Sequence, residues 1–151
     1  MSEVRRLDVE RVVRFYETLS PESLAHIGNV YAPDARFKDP FNDVQGLAAI
    51  EAVFRHMFRQ VQEPRFCVTS RMAEGREAWL EWEFHFRFRG WRETEIQLVR
   101  GATRLELSPE GHVLVHRDYW DTGEELFARL PVMGALVRFL QRRLSAPGPQ
   151  G

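Results

Sequence analysis

Two aspartates sit where expected strands end, in surroundings that suit proton transfer. Asp118 lies in His116-Arg117-Asp118-Tyr119-Trp120-Asp121, which closes a run of alternating strands. Asp39 lies in Phe37-Lys38-Asp39-Pro40-Phe41-Asn42, at the end of the first expected strand. Brought from distant parts of the chain to one apolar hollow, the two carboxylates form a candidate acid/base pair. Each also has a plainer reading. Asp118 shares a strand face with Leu114, His116 and Trp120. A carboxylate facing inward among such neighbours holds its proton more tightly and suits acid/base work, whereas one paired with Arg100 or Arg104 on the adjacent strand would be structural. Asp39 can equally serve a turn, accepting backbone N–H groups around Pro40-Phe41-Asn42.

The elements that must position these groups follow from periodicity. Val9, Val12, Val13, Tyr16 and Leu19 recur at helical steps and mark one apolar face. Ser20-Pro21 restarts a helix, with Ser20 as N-cap and Pro21 in the first turn, and Leu24, Ile27, Gly28 and Tyr31 continue it. Ala35 to Asp39 reads as a short strand, ended by the proline that follows. Gly46 precedes a strongly amphipathic helix with Ile50, Val53, Phe54, Met57, Phe58 and Val61 on one stripe. After Pro64 the period changes to two. Phe66, Val68, Ser70 and Met72 face one way; then Trp82, Phe84, Phe86 and Phe88 alternate with Glu81, Glu83, His85 and Arg87. Strands around 96–107 and 113–120 complete an antiparallel meander, with a bulge expected at Gly101. From Glu124 the pattern is helical again, split at Pro131, and Arg138, Arg142 and Arg143 decorate the last helix. Helices first and sheet second is the α+β arrangement, expected as one domain over residues 1–145 with a frayed tail at 146–151.

Composition narrows the function classes. The 151 residues suit one domain, and 11 Phe, 4 Trp and 3 Tyr exceed what minimal packing needs. The 21 basic and 22 acidic residues nearly cancel, which argues against nucleic acid as a partner. Cys67 is the single cysteine, so no internal disulfide forms, and its place in a strand pattern reads as small-residue packing. No histidine pair has metal-ligand spacing with a carboxylate, so neither a metal nor a cofactor is expected. No signal peptide follows Met1 and no apolar run spans a bilayer, so a cytoplasmic location is expected.

Helices, a strand ending in Asp-Pro, a helix opened by glycine, and a meander ending in Arg117-Asp118-Tyr119-Trp120-Asp121 together resemble the nuclear transport factor 2-like superfamily, in particular its SnoaL-like and ketosteroid-isomerase-like branches. The resemblance covers Val9 to Asp121. It implies a cone: a strongly curved, mostly antiparallel sheet wrapped around the N-terminal helices, here with a C-terminal helical extension. It also implies a pocket, with Phe15, Tyr16, Phe37, Phe54, Phe58, Trp82, Phe84, His116 and Trp120 as lining residues.

Carried over residue by residue, the resemblance gives incomplete sites. In ketosteroid isomerases the aspartate of an Asp-Pro dipeptide shuttles the substrate proton, and Asp39 holds that place. Their oxyanion hole uses a first-helix tyrosine and a protonated aspartic acid. Alignment on Leu19 and Leu24 puts Phe15 at the tyrosine position and Tyr16 about 100° away; Thr103 falls near the aspartic-acid position. Limonene-epoxide hydrolases share the last-strand aspartate, matched by Asp118. Phe37 and Asp39 stand where they use tyrosine and asparagine, and Trp82 and Phe84 where they use arginine and aspartate. Neither reaction is expected. The expectation is an apolar small-molecule binder, with cofactor-free isomerase, dehydratase or cyclase chemistry through Asp39 and Asp118. The alternative is a non-catalytic carrier or protein-interaction module. The resemblance further implies a homodimer through the outer sheet face, and the basic C-terminal helix offers a less favoured contact with a membrane surface.

Overall fold

The computed structural model describes residues 3–121. Helix α1 (Glu3–Glu17) buries Val9, Val12, Val13 and Tyr16, the stripe that its periodicity marks, and packs against strand β3 (Val61–Glu74). A 3₁₀ helix follows at Ser23–Asn29. Ser20 and Ser23 cap each other: the Ser23 N–H donates to Ser20 Oγ at 3.1 Å, and the Ser20 N–H donates to Ser23 Oγ at 2.9 Å. This reciprocal pair satisfies two otherwise orphaned donors.

Strand β1 (Tyr31–Lys38) starts earlier than the sequence pattern suggests, and Tyr31 belongs to it rather than to the preceding helix. Pro33 does not end the strand. The ladder between β1 and β6 (Val113–Tyr119) is irregular between Tyr31 and Arg36, so the missing proline donor falls where pairing is interrupted. After the three-residue strand β2 (Asp43–Gln45), Gly46 takes φ 93° and leads into α2 (Leu47–Gln60), whose Ile50 and Phe54 are buried. Val61, expected on the helical stripe, instead opens β3. Pro64 lies inside that strand, at a register shift beside Glu63 with φ 50°.

Strands β4 (Glu77–Phe88) and β5 (Gln97–Leu107) complete a curved, unclosed six-stranded sheet in the order β2-β1-β6-β5-β4-β3. All neighbours are antiparallel except β1 and β6. The sheet and its helices have the α+β architecture of the cone fold.

Two sequence readings are corrected within the sheet. Gly101 makes no bulge: it pairs with Trp82 in an unbroken register. A Cβ at 101 would lie 2.6 Å from the Trp82 ring and 2.9 Å from the Tyr119 carbonyl oxygen, so glycine is required by close approach. Cys67 is exposed, because the alternation that turns Val68 inward turns its neighbour out. Among the described residues no helix is long and apolar enough to cross a membrane. The helices expected after Glu124, the tail and the arginines of the last helix lie outside the described residues.

Candidate functional site

Strand register assembles the site. His116 is partnered with Phe37 on β1 and Leu105 on β5, while Asp118 is partnered with Thr103 on β5. Residues two apart on a strand share a face, so His116 and Asp118 both enter the concave side. Tyr16 comes down from the last turn of α1 and Tyr31 from the first residue of β1.

These groups form one hydrogen-bonded chain. The Tyr16 and Tyr31 hydroxyls are 2.6 Å apart, and they stand 2.7 and 2.8 Å from His116 Nδ1. His116 Nε2 lies 2.7 Å from Asp118 Oδ1, which also accepts from the Thr103 hydroxyl. The Trp82 indole N–H donates to Thr103 Oγ1 at 2.8 Å. A carboxylate oxygen only accepts, so His116 donates from Nε2, and on a neutral imidazole Nδ1 is then the acceptor for the tyrosine hydroxyls. No described residue donates to Asp118 Oδ2. Burial pushes the phenols of Tyr16 and Tyr31 well above the usual 10; the Asp118 charge adds to the rise in both.

The chain borders a cavity of about 30 Å³ lined by Tyr16, Phe54, Phe66, Val68, Trp82, Thr103, His116 and Asp118. That volume holds about one water molecule, which needs two or more polar partners, and the lining supplies them. His116 is nearly sealed, at 3% exposed, and its ring packs on Phe37 at 4.4 Å. The Asp118 side chain keeps 18% of its surface.

Five of the expected site residues therefore meet: Tyr16, Phe54, Trp82, His116 and Asp118. Phe37 supports the His116 ring without bordering the cavity. Phe15 packs edge-on against Tyr16, Tyr31 and Phe54 and does not border it either. Of these two neighbours it is Tyr16, continuing the buried stripe of α1, that borders the cavity. Phe84 stacks behind Phe66 at 4.4 Å, and Phe58 is half-buried away from the cavity. Trp120 meets Phe41 at 5.6 Å beyond the end of β6. Asp39 is not brought to the cavity. Its Oδ1 accepts the Phe41 and Asn42 N–H groups at 2.8 and 2.7 Å, and the Asn42 amide contacts both oxygens. The arginines weighed as partners of Asp118 go elsewhere: Arg104 to Glu77 at 2.8 Å and Arg100 to Glu83 at 3.5 Å.

Sequence reasoning missed Tyr31 and Thr103 as members of the chain. Tyr31 was hidden by its assignment to a helix. Thr103 had a usable signal, since it falls near the aspartic-acid position of the resembling isomerases. Among the described residues no cluster of three His, Cys, Asp or Glu side chains could hold a metal.

A curved, unclosed sheet with helices packed against it is the fold of the nuclear transport factor 2-like class. Residues 12–116 match the model of the SnoaL-like domain, and the chain belongs to that family. Solved structures agree on the fold. A protein from Jannaschia sp. CCS1 assigned as a SnoaL-like polyketide cyclase superposes with TM-score 0.67 at 16% identity, covering 97% of this chain and 98% of that one. A protein of unknown function from Burkholderia pseudomallei superposes with TM-score 0.69 at 16% identity, covering 82% and 95%. A Catenulispora acidiphila protein with a ketosteroid isomerase-like fold, solved with trimethylamine, gives 0.67 at 17% identity, covering 79% and 88%. No curated protein matches the chain.

Proposed function

We propose that the protein binds a small carbonyl compound at this site and moves a proton at the carbon beside the carbonyl, as an isomerase or cyclase does. One observation carries the reading: Asp118 borders an aromatic-lined cavity with Oδ1 held by His116 and Thr103 and Oδ2 free of hydrogen bonds from described residues. Oδ2 is then the base. It takes the C–H proton, the electron pair moves onto the carbonyl oxygen as an enolate, and the proton returns at another carbon or the enolate attacks a second carbonyl. The Tyr16 hydroxyl is the donor placed to meet the developing negative oxygen. The polyketide-cyclase assignment of the Jannaschia protein supports this class of chemistry. Asp39 is left to its turn, and no metal or cofactor is invoked.

The test is deuterium uptake. In D₂O the full-length protein should exchange the hydrogens beside the carbonyl in a panel of cyclic ketones and β-keto esters, followed by proton NMR. An Asp118→Asn variant should be slower by at least about a hundredfold. A panel untouched by the wild-type protein would sink the catalytic reading.

The second reading is a non-catalytic carrier or interaction module, and the cavity's size favours the interaction module. At about 30 Å³ it is far below the several hundred Å³ usual for a ligand pocket, because Phe54, Phe66 and Trp82 fill the space. A carrier would bind ketones without exchanging their hydrogens. For either reading we propose a homodimer through the outer sheet face and a cytoplasmic location. The outer face supports the first: a trough of about 500 Å³ runs past Met72, Trp79 and Tyr119, and Met72 is 67% exposed. Light scattering should give twice the chain mass, falling to one on Tyr119→Glu.

A further inference from the structure

Two hydroxyls compete for one acceptor at the centre of the site. Tyr16 and Tyr31 each stand within hydrogen-bond distance of His116 Nδ1, and of each other. With Nε2–H committed to Asp118, Nδ1 can accept one O–H at good geometry. In one arrangement the second O–H is absorbed by the other phenol, with Tyr31 donating to Tyr16 and Tyr16 to Nδ1. Tyr31 can equally donate to Nδ1 directly, over 2.8 Å. That exchange leaves Nδ1 satisfied and sets the Tyr16 O–H free, and Tyr16 is the phenol that borders the cavity.

We propose that His116 is a positioning residue working in two directions, and that Tyr31 is its accessory. Through Nε2–H it fixes Asp118 Oδ1 and leaves Oδ2 as the working oxygen. Through Nδ1 it holds one tyrosine hydroxyl at a time, so that a ligand's carbonyl or enolate oxygen receives the Tyr16 O–H without any buried polar group losing its partner. A buried group left unpartnered is costly, and the third member of the triangle removes that cost. His116 acts in this arrangement through Asp118 and the two tyrosines. The phenols stay protonated for the task, because burial holds both above their usual ionisation range. The groups that face the imidazole are Tyr16, Tyr31, Asp118 and the Phe37 ring.

The proposal rests on Asp118 acting as the base, so its test separates the two. The first arm needs no ligand: long-range proton–nitrogen NMR on the full chain reads which His116 nitrogen carries the proton. Nε2–H is expected in the wild type and in the single variants Tyr16→Phe and Tyr31→Phe. Only the double variant should move the Nδ1 resonance towards that of an unbonded acceptor. A proton found on Nδ1, or a double variant indistinguishable from wild type, overturns the positioning role. The second arm uses 4-nitrophenolate as an enolate mimic, titrated by its absorbance against Asp118→Asn, whose neutral amide stands for the protonated acid. Adding Tyr31→Phe should weaken binding by roughly tenfold, as loss of one charge-assisted hydrogen bond does. Adding Tyr16→Phe should weaken it at least as much. Unchanged binding on Tyr31→Phe overturns the accessory role even where Tyr16→Phe binds poorly. If the NMR pattern holds and deuterium uptake is absent, the positioning geometry stands and the proton-transfer reading falls.

Discussion

Asp39 and Asp118 occupy matching places on neighbouring strands and meet different donors. Lys38 and Arg117 are partners across the parallel strands β1 and β6, so each aspartate is the residue that follows a paired position. Beyond that point the chains diverge. β1 stops, and Asp39 folds back on the next residues, its N–H donating to the Asn42 carbonyl at 3.0 Å while its carboxylate collects the N–H groups of Phe41 and Asn42. β6 continues, and Asp118 is kept inward, opposite Thr103 and two residues from His116. What differs is the donor set. Backbone amides next in sequence make a carboxylate into a turn device; side chains from its own strand and the neighbouring one bring it into a polar chain.

The contrast can be broken in several ways. The largest effect belongs to the deuterium-uptake assay: Asp118→Asn should lose at least about a hundredfold, and Asp39→Asn should stay within roughly threefold of wild type. Equal losses would erase the distinction between the two residues. Next is Thr103→Val. It strips one donor from Asp118 and leaves the buried Trp82 N–H without its acceptor, which should cost about 1–3 kcal/mol in urea unfolding. A variant as stable as wild type would mean that water replaces the hydroxyl. Asp39→Ala should cost about 1 kcal/mol through its turn, with no change in the His116 tautomer.

The smallest effect sharpens the electrostatics. Ultraviolet titration of the folded protein should show Tyr16 and Tyr31 delayed to higher pH than an ordinary phenol. The sign follows from linkage. A folded phenol pKa raised above its unfolded value favours the protonated, folded state. That stabilising share is complete below the unfolded value near 10 and is lost as pH climbs towards the folded value. Delayed ionisation should therefore coincide with alkaline unfolding; two early tyrosines would show that the pair is open to solvent.

Much of this was readable in the chain. The helical stripe through Tyr16, the two-residue alternation of β4 and the inward course of His116 and Asp118 are all set by side-chain periodicity, and the structure follows them. Losses occurred where a local signal competed with a distant one. Tyr31 fits the helical spacing of Leu24, Ile27 and Gly28, but it opens β1, and Pro33 is absorbed by the irregular pairing with β6. Phe15 and Tyr16 differ by one helical step, and both were expected at the pocket; the buried stripe of α1 brings only Tyr16 to the cavity. Asp39 fits both a proton shuttle and a turn acid, and only the geometry of the Phe41 and Asn42 amides separates them. The reason for Gly101 was out of reach, because the ring that excludes its side chain arrives from 19 residues away, across the β4–β5 ladder.

Gly101 also makes the sheet thin. Its backbone borders the outer trough, while the space that its side chain would fill is taken from within by the Trp82 ring. At that point one peptide group separates the solvent-facing trough from an indole whose N–H steadies Thr103, and through Thr103 the Asp118 carboxylate. Here the partition is a single backbone, so tryptophan emission gives a window on both sides of the wall at once.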